Sequence, residues 1–257
     1  MTSIDVTAPG SKAKKGNAHV LSKARRELED IFESMGFSII SGPEVEKEFY
    51  NFDALNVPKN HPARDMQDTF WVDKLDETVL RTHCTSVDIR HMQNNKPPIR
   101  VLAPGRVFRN EAIDATHEAQ FHQWDGLVVG ENISLANLKF ILASVLRKFL
   151  NDDSIGVRLR PGFFPFVEPG VELDLTCFKC PKNNPSSSCN VCKGSGWIEL
   201  LGAGMIHPNV LKAVGIDSKK YQALAFGPGL ERLVMLKYGV DDIRDFYDGD
   251  IPFLKQF

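Results

Sequence analysis

The centre of the chain, from about residue 69 to residue 202, reads as a succession of short β-strands whose connections are mostly too short to hold a helix. Parallel strands need a crossover, whereas antiparallel neighbours need only a turn. The pattern therefore predicts an antiparallel sheet flanked by helices, an α+β fold. The sequence holds neither G-x-G-x-x-G after a first strand nor G-x-x-x-x-G-K-[ST], so a nucleotide site would be of another kind.

Apolar periodicity and turn residues define the individual elements. The predicted strands cover Phe37–Ile40, Thr69–Val72, Thr78–Thr82, Ile99–Leu102, Arg106–Arg109, Gln120–Val129, Val157–Arg160, Phe163–Phe166, Glu172–Cys177, Trp197–Gly202 and Ala223–Phe226. The predicted helices cover about Ala18–Met35, Val87–Met92, Leu135–Leu150, Pro208–Val214 and Pro228–Tyr238. Residues 44–69 read as another helical stretch followed by a loop rich in Asn, His and Pro.

Composition places the chain among globular proteins and limits its partners. Of 257 residues, 42% are hydrophobic, and 31 basic against 33 acidic residues give a formal net charge of −2. With no broad basic face, nucleic acid would bind through a local patch or with a partner's help. No apolar run is long enough for a membrane span, and the polar N-terminus does not resemble a secretion signal. We therefore expect a cytoplasmic protein with a flexible lead over residues 1–17 and one domain over residues 18–257.

Four of the five cysteines form two C-x-x-C pairs separated by eight residues. Four thiolates at this spacing suit a tetrahedral Zn²⁺ site, and without an export signal a metal is favoured over disulfides. Two redox-active pairs are the alternative. Because a closed site leaves no position for a substrate, we predict a structural metal in a hairpin insert over about residues 177–196, held by Cys177, Cys180, Cys189 and Cys192. Cys84 is expected to be a small buried residue and not a nucleophile.

Two segments combine arginine with residues suited to nucleotide binding. Gly105–Glu111 carries arginines on a predicted strand, and the planar fork of an arginine suits a pair of phosphate oxygens. Ala225–Leu233 places two glycines before a helix whose first turn presents Arg232, an arrangement that would form a slot for adenine and a triphosphate clamp. Each is weak evidence alone, because an R-x-x-R pair is most often surface charge and Gly-Pro-Gly is often only a turn.

Taken in chain order with Gly36-Phe37 and Gly42-Pro43, these segments resemble the three signature motifs of class II aminoacyl-tRNA synthetases. The residues between them strongly resemble the α subunits of bacterial phenylalanyl-tRNA synthetases. The segments that carry this likeness are 50–58, 61–64, 68–71, 103–109, 121–123, 163–166, 204–211 and 253–257. The likeness extends from about the first helix to the last residue.

The resemblance implies a class II catalytic fold and a phenylalanine–tRNA ligase. In that family the α subunit uses ATP to convert phenylalanine to phenylalanyl-adenylate, transfers the acyl group to tRNA(Phe), and forms an α2β2 heterotetramer with a β subunit. Arg109 matches the arginine that holds the α-phosphate and the substrate carboxylate, and Arg232 matches the one that grips the γ-phosphate. Glu168 matches a Mg²⁺ ligand shared with the β subunit. The residues expected to contact ATP are Arg109, Glu111, His117, Gly227, Gly229 and Arg232.

The same resemblance implies the amino-acid pocket. Phe164 and Phe166 match a pair that stacks on the substrate's phenyl ring, and alternation along one strand would point both the same way. From the residues alone, the two phenylalanines read more readily as plain core. Ala225 matches the small residue at the pocket floor. The positions expected around the substrate's ammonium and carboxylate groups are Trp71, His83, Thr85, Gln123 and Asp125.

Several positions depart from the usual family pattern. The family typically has His-Thr-Ser-Pro-Val-Gln where this chain has residues 83–88, so Cys84 and Asp88 lose the expected chemistry. Asp125 stands where a glutamate is usual, which shortens the expected grip on the ammonium group, and Pro228 stands where Met or Leu is common. Two other functions therefore stay open. One is an adenylate-forming paralogue with another amino acid or acceptor, and the other is a non-catalytic binding subunit, which the retained phosphate-clamp residues disfavour.

The family's α subunits usually begin with a long helical hairpin that clamps tRNA. This chain starts just before the region that resembles the catalytic domain. Without that arm, we expect the affinity for tRNA to fall even if adenylation persists.

Overall fold

The computed structural model describes residues 7, 10, 16–59, 69–73, 75–180, 186–189 and 191–257. Most of the expected lead over residues 1–17, and the quoted segment 61–64, lie outside the described residues. Within them, a seven-stranded sheet is accompanied by a separate three-stranded sheet. The predicted α+β class is confirmed.

The large sheet is antiparallel except at one edge. In chain order the strands are β1 (Ser38–Ile39), β2 (Val45–Lys47), β3 (Trp71–Asp73), β4 (Thr78–Leu80), β5 (Ile99–Phe108), β6 (Gln120–Gly130), β7 (Val157–Pro161), β8 (Val167–Thr176), β9 (Trp197–Ile206) and β10 (Gln222–Phe226). The large sheet has the order β1-β5-β6-β10-β9-β8-β7, and the small one has the order β2-β4-β3. β1 runs parallel to β5, which departs from the antiparallel expectation and is possible because a long connection separates the two strands.

The helices cover both faces of the large sheet. They are α1 (Val20–Ser34), α2 (Glu48–Asn51), α3 (Thr85–Asn94), α4 (Leu135–Leu150), α5 (Pro208–Ala213), α6 (Leu230–Tyr238) and α7 (Ile251–Leu254), with 3-10 turns at Asp53–Leu55 and Ile243–Phe246. α1 ends where Gly36 takes a φ of +82°, a left-handed conformation that glycine adopts readily. None of the described helices has the length and apolarity needed to cross a bilayer.

The side chains of β6 alternate between two hydrophobic cores, one on each face of the large sheet. Trp124 and Val128 belong to the core that contains the apolar residues of α1, α4 and α6. Leu127 belongs to the core that contains those of α3 and α5. Because successive side chains of a strand point to opposite faces, Gln123 and Asp125 share the face of Leu127. That face carries the candidate site.

The segment Phe163–Phe166 is not the strand that its pattern predicts. It forms a turn in which Val167 N donates to Phe164 O at 3.2 Å. Pro165 lies inside this turn, where its missing N–H removes no ladder hydrogen bond. Strand alternation is therefore the wrong reason for placing Phe164 and Phe166 together, although their rings do meet.

Two other stretches differ from the prediction in their extent. β5 runs unbroken over ten residues where two short strands were expected, because Gly105 marks a close approach and not a break. A Cβ at Gly105 would lie 2.0 Å from Arg81 Nη2, so only glycine leaves that guanidinium room. Residues 45–55 hold β2, α2 and a 3-10 turn in place of one helical stretch.

Candidate functional site

Two neighbouring cavities open at this part of the sheet. The larger, which we call the cleft, measures about 560 Å³ and is lined by Arg109, Glu111, Thr116, His117, Glu118, Phe121, Glu199, Leu200, Gly229, Glu231, Arg232 and Ile243. The smaller, which we call the pocket, measures about 130 Å³ and is lined by His83, Thr85, Arg109, Gln123, Asp125, Phe164, Phe166, Val167, Gly202, Ala203, Ala225, Phe226 and Gly227. Among the described residues, Arg109 alone lines both, so it stands where cleft and pocket meet.

Arg109 is positioned by the hairpin that β5 and β6 form. Its backbone N–H donates to Ala119 O at 2.9 Å, directly after the end of β5. The guanidinium lies 5.1 Å from the centre of the Phe121 ring, and its Nε donates to Thr82 O at 3.3 Å. Glu111 Oε1 is 3.8 Å away. Burial lowers the pKa of Arg109, but arginine remains charged in proteins, so a cation stands between the cavities.

The turn between β5 and β6 is organised around one aspartate. The Asp114 carboxylate accepts from Thr116 N at 2.7 Å and from His117 N at 2.8 Å. The His117 ring also contacts it, with Nδ1 2.9 Å from Asp114 Oδ2. These hydrogen bonds, that to His117 above all, hold the pKa of Asp114 well below its usual range. The ring of His117 is thereby held at the rim of the cleft.

The helix that carries Arg232 is fastened to β6 by a buried carboxylate. Glu231, in the first turn of α6, accepts from His122 N at 2.9 Å and from His122 Nδ1 at 2.8 Å. Tyr247 donates its hydroxyl to Glu231 Oε1 at 2.5 Å. Because His122 lies on β6 and Tyr247 follows the second 3-10 turn, these bonds fix the orientation of α6. Arg232 then lines the cleft together with Arg109, so both arginines singled out in the sequence belong to one cavity.

Aromatic rings form the apolar part of the pocket. Phe164 and Phe166 stack with 5.9 Å between ring centres, and His83 packs 6.4 Å from Phe166. A Cβ at Gly202 would come within 2.6 Å of the Phe164 ring, so glycine at this position of β9 lets the ring lie flat on the strand. The pocket is close in size to the roughly 150 Å³ apolar cavity known to hold benzene. It can therefore accept a single phenyl ring.

Polar groups line the other side of the pocket. Gln123 Oε1 accepts from Cys84 N at 3.0 Å, and its Nε2 donates to Gly227 O at 3.2 Å. Thr85 donates its hydroxyl to Asp125 Oδ2 at 2.5 Å. Burial raises the pKa of Asp125 to about 7, although the Thr85 hydrogen bond opposes the shift. An acidic group and an amide are thus available to a polar substrate group.

The glycine-rich loop before α6 runs close along β6. Gly229 forms an isolated bridge with Gln123, and Trp124 N donates to Pro228 O at 3.1 Å. A Cβ at Gly227 would lie 2.7 Å from Asp125 Oδ1 and 2.8 Å from Gln123 Nε2. Glycine at position 227 is therefore required for the backbone to reach the polar side of the pocket. This places Gly227 in the pocket, whereas Gly229 lines the cleft.

Two residues assigned to the site from the sequence line neither cavity. Trp71 lies on β3 of the small sheet and is 40% exposed. Glu168 lies near the start of β8 with an exposed side chain. In the part of the chain that the structure describes, His83, Thr85, Gln123, Asp125, Phe164, Phe166 and Ala225 do come together in the pocket. Cys84 is buried as expected, and burial raises the pKa of its thiol, which makes it a poor nucleophile.

Three residues with structural importance had no assigned role in the sequence analysis. Arg81 is 3% exposed and donates to the carbonyls of Arg106 at 2.7 Å and of Gly42 and Pro43 at 3.2 Å. Glu231 stood inside the quoted motif and could have been singled out as a carboxylate in the first turn of a helix. Tyr247 left no signal, since nothing in its neighbourhood in sequence relates it to Glu231.

The four clustered cysteines form a compact group next to β8 and β9. All four Sγ atoms lie within 4.8 Å of one another, with Cys177 and Cys189 3.9 Å apart and Cys180 and Cys192 3.5 Å apart. Backbone N–H groups of Cys192 and Val191 lower the pKa of Cys189 to about 6. Four thiolate donors at these separations can hold one metal ion. The expected metal ligands are thus brought together.

The cleft and pocket suit a reaction that depends on positioning and charge. Two guanidinium groups face a cavity large enough for a nucleotide, and an apolar pocket with an acidic group adjoins it at Arg109. No activated nucleophile lines either cavity among the described residues. Neutralising charge and holding two reactants in line are the effects that such a site supplies.

Known proteins with similar sequences belong to the class II tRNA synthetases. The family described as tRNA synthetases class II core domain (F) matches residues 3–257. The chain is 52% identical over 258 residues to the phenylalanine–tRNA ligase alpha subunit of Streptococcus uberis, covering 99% of this chain and 72% of that protein. It is 53% identical over 256 residues to the protein of the same name from Anoxybacillus flavithermus, with the same coverage.

A solved structure supports the fold at much lower sequence identity. The pyrrolysyl-tRNA synthetase from Desulfitobacterium hafniense superimposes with a TM-score of 0.65 and 17% identity, covering 90% of this chain and 74% of that one. At that identity the likeness concerns the fold alone.

Proposed function

Because the chain belongs to the phenylalanine–tRNA ligase alpha-subunit family of the class II tRNA synthetases, we propose that it activates phenylalanine with ATP and transfers the acyl group to tRNA(Phe). As a member of that family it is a ligase. The observation that carries the proposal is the position of Arg109 at the junction of the cleft and the pocket. A nucleotide in one cavity and an amino acid in the other would meet at this guanidinium.

In the cleft, ATP would be held by the two arginines and the motif residues around them. Arg109 contacts the α-phosphate and the substrate carboxylate, and Arg232 contacts the γ-phosphate. Gly229 leaves room for the adenine. Glu111 and His117 line the same cavity, which supports their assignment to the nucleotide. Gly227 lies in the pocket and Gly229 in the cleft. Gly227 would therefore affect ATP indirectly, by positioning the loop that carries Gly229.

In the pocket, the substrate's phenyl ring would stack with Phe164 and Phe166 above the small Ala225. Aromatic partners at ring-centre separations of about 4.5–7 Å favour such contacts. Gln123, Asp125 and Thr85 face the ammonium group, and His83 closes the side of the pocket. Trp71 would reach the substrate only if β3 moved toward the pocket.

The chemistry then requires no covalent step on a side chain. The phenylalanine carboxylate attacks the α-phosphate in line, and pyrophosphate leaves. Arg109 touches both reacting groups and offsets the charge that develops between them, while Arg232 withdraws charge from the leaving group. Preorganised cations at such points lower the barrier without reorganisation during the reaction.

Mg²⁺ would join through Glu168, as the family resemblance implies. Among the described residues, only the cysteine cluster brings three or more potential metal ligands together, so Glu168 does not form a metal cage with its neighbours. An exposed carboxylate with no second protein ligand fits an ion that takes its remaining ligands from phosphates, water and a partner subunit. The ion would supply charge neutralisation at the triphosphate.

The cysteine cluster would hold Zn²⁺ with a structural role. Four thiolates within tetrahedral reach of one centre and no open position fit a closed zinc site. The backbone N–H groups that lower the pKa of Cys189 favour the thiolate form that a metal needs. A redox-active dithiol is the alternative, and metal content separates the two.

Assembly and location follow from the family. The relatives are named as alpha subunits, and we propose a β subunit as the partner, in an α2β2 heterotetramer in the cytoplasm. The chain spans 72% of the length of those relatives. We propose efficient charging of tRNA(Phe) only for the enzyme assembled with its β subunit.

A second candidate function is adenylation of another amino acid. The observation that favours it is the buried pair of aspartates, Asp88 and Asp125, at positions where the resemblance implies glutamine and glutamate. Two shorter acidic side chains alter the polar side of the pocket. A non-catalytic binding role is disfavoured, because two arginines lining one cleft have no use in a subunit that binds no phosphate.

The deciding experiment is ATP–pyrophosphate exchange with each of the twenty amino acids, measured with and without a β subunit. Exchange led by phenylalanine supports the proposal, exchange led by another amino acid supports the second candidate, and no exchange with β present refutes both. Arg109→Ala should reduce exchange at least about 100-fold, the loss expected for a preorganised charge contact. Arg25→Ala, which removes an exposed arginine of α1, is the matched control and should leave exchange unchanged.

A further inference from the structure

A second carboxyl group is buried behind the pocket. Asp88 is 1% exposed, and neither of its carboxylate oxygens has a hydrogen-bond partner among the described residues. A buried carboxylate without a partner is strongly unfavourable, so the group keeps a proton or is offset by a nearby cation. The pocket residues proposed above do not account for it.

The position of Asp88 on α3 directs it toward Asp125. Thr85 and Asp88 are three residues apart on this helix, so they share one face of it. Thr85 donates directly to the Asp125 carboxylate, which shows that this face meets β6. Burial first, and the nearby Asp125 second, raise the pKa of Asp88. Two buried carboxyl groups thus lie near each other, one of them in the pocket lining.

Of the two guanidinium groups near the pocket, Arg81 acts on Asp125, whereas Arg109 stands at the junction with the cleft beside Glu111. The charge of Arg81 lowers the pKa of Asp125, but the hydrogen bonds of Arg81 go to backbone carbonyls. His83 does not add a second cation, because burial and Arg109 lower its pKa to about 4. One guanidinium supports one carboxylate, and the other carboxyl group has no counterion while the pocket is empty.

The remaining neighbours do not change this balance. The Cys84 thiol lies near both aspartates and stays neutral, since burial raises its pKa. From β6 and the loop before α6, the groups that face Asp125 are the neutral Gln123 amide and the backbone of Gly227. Asp88 lies in the first turn of α3, where the helix dipole favours an anion only weakly. This effect is too small to offset the desolvation of a carboxylate.

We propose that Asp88 and Asp125 form an electrostatically coupled carboxyl pair, and that binding of the substrate's ammonium group expels a proton from it. In the empty pocket the pair holds one proton at neutral pH, and Arg81 balances the one negative charge. The ammonium brings a second positive charge, so both carboxyl groups ionise and the proton leaves to solvent. No covalent bond changes. The inference rests on the proposed function of the pocket as an amino-acid subsite.

Asp88 is in this sense a positioning residue that acts through Asp125, since it does not line the pocket itself. Its effect is to tie recognition of an ammonium group to release of a proton. Such linkage makes the apparent affinity rise tenfold per pH unit for each proton released. Neutral analogues of the amino acid, which lack the ammonium group, would not expel the proton.

The test measures proton release directly. Phenylalanine binding to the enzyme assembled with its β subunit is followed by calorimetry at pH 7.5 in buffers of different ionisation enthalpy. We expect release of close to one proton by the wild-type enzyme and less than about a fifth of that by Asp88→Asn, which keeps the shape of the side chain but cannot ionise. Asp30→Asn removes an exposed aspartate of α1 and should match the wild type. Equal release by Asp88→Asn and wild type overturns the proposal.

Kinetics give a second readout that a purely structural role would not move. Between about pH 7 and 8 the KM for phenylalanine in the exchange reaction should fall with rising pH in the wild type, by up to tenfold per unit, and stay flat in Asp88→Asn. The kcat should have the same pH dependence in both. A flat wild-type KM over this range also overturns the proposal.

Failure of the proposed function can be distinguished from failure of the carboxyl-pair proposal. If the wild type shows no exchange with phenylalanine, infrared spectra of the ligand-free wild type and variants still test the pair. The carbonyl stretch of a protonated carboxyl group should be present at pH 7.5 in the wild type and in Asp30→Asn, and reduced in Asp88→Asn. Absence of that band in the wild type overturns the pair whatever the substrate is.

Discussion

One of the smallest side chains that line the pocket is that of Ala225. Ala225 lies on β10 opposite Leu127 of β6 and is 5% exposed, so it has no room to move. A larger residue at this position would fill a pocket of only about 130 Å³. On the proposed assignment, its size sets how far a substituent can extend from the para position of the substrate's ring.

Removing this methyl group should widen the substrate range. In Ala225→Gly we expect the kcat/KM for para-chlorophenylalanine in ATP–pyrophosphate exchange to rise about 10- to 100-fold relative to phenylalanine, because one methylene in an apolar pocket is worth a factor of this size. Ala223→Gly is the matched control, since Ala223 is buried on the same strand and face but does not line the pocket. An unchanged preference in Ala225→Gly would argue against the pocket assignment.

Single residues also show what sequence reasoning cannot reach. Arg109 and Arg232 were identifiable because each stands in a short pattern with its own chemistry. Asp88 was recognised only as a departure from a family pattern. Its burial without a hydrogen-bond partner depends on α3 meeting β6, a contact between segments far apart in the chain. Arg81 escaped notice for the same reason, since its partners are backbone carbonyls of other segments.

The segment that carries the four clustered cysteines is where we propose that a metal stabilises the fold. The described part of residues 177–196 contains no helix or strand, and Cys177 and Cys192 pack on the main core. The backbone beyond β8 is held by Cys177 N donating to Gly196 O at 2.9 Å. On the proposed assignment, a metal that bridges the four sulfur atoms holds this segment in place.

Breaking the cluster should therefore release metal and loosen the hairpin. In Cys180→Ser we expect the zinc content of protein purified without chelator to fall from about one ion per chain to near zero, with a lower melting temperature, because structural metal sites contribute folding energy directly. Cys84→Ser should keep its metal, since that cysteine lies in another part of the chain. Near-zero zinc in the wild type would contradict the metal assignment itself.

The elements also explain where local patterns were sufficient. α4 has the predicted bounds, because its apolar spacing continues over four turns without a break. The turn at Phe163–Phe166 was missed because an aromatic–proline run has the composition of a strand, while Pro165 imposes a turn. β1 could not be paired from the sequence, since two residues carry no signal of a parallel neighbour.

At the scale of the whole molecule, the buried groups of the pocket make stability depend on pH. Burial raises the pKa of Asp88 and raises that of Asp125 to about 7, while burial lowers the pKa of His83 to about 4. Between about pH 5 and 6.5, these three groups then hold two carboxyl protons in the folded chain and one histidine proton in the unfolded chain. The lowered pKa values of Asp114 and Asp174 act only below this range.

Asp88 should make stability fall as pH rises through this interval, because its buried carboxyl group holds a proton that the unfolded chain has lost. The lowered pKa values of His91 and Cys189 act in the opposite direction in the same interval, so the prediction is the difference between the wild type and Asp88→Asn, which shares those groups. Relative to Asp88→Asn, we expect a slope of about −1.4 kcal/mol per pH unit in the free energy of unfolding, measured by chemical denaturation of the ligand-free proteins. Equal slopes in the two proteins would contradict the raised pKa of Asp88.

Strand β6 imposes one more condition on any substrate. It carries Phe121 beneath the Arg109 guanidinium, and Gln123 and Asp125 beside the pocket, on a single face of a strand that β5 pairs along this stretch. Successive side chains on this face are about 7 Å apart, so the distance between the groups that bind the substrate's carboxylate and its ammonium is fixed. In a β-amino acid an additional carbon separates the carboxyl and amino groups. On the proposed assignment it could contact Arg109 or Asp125 but not both, so we expect β-amino acids not to be activated even when their rings fit the pocket.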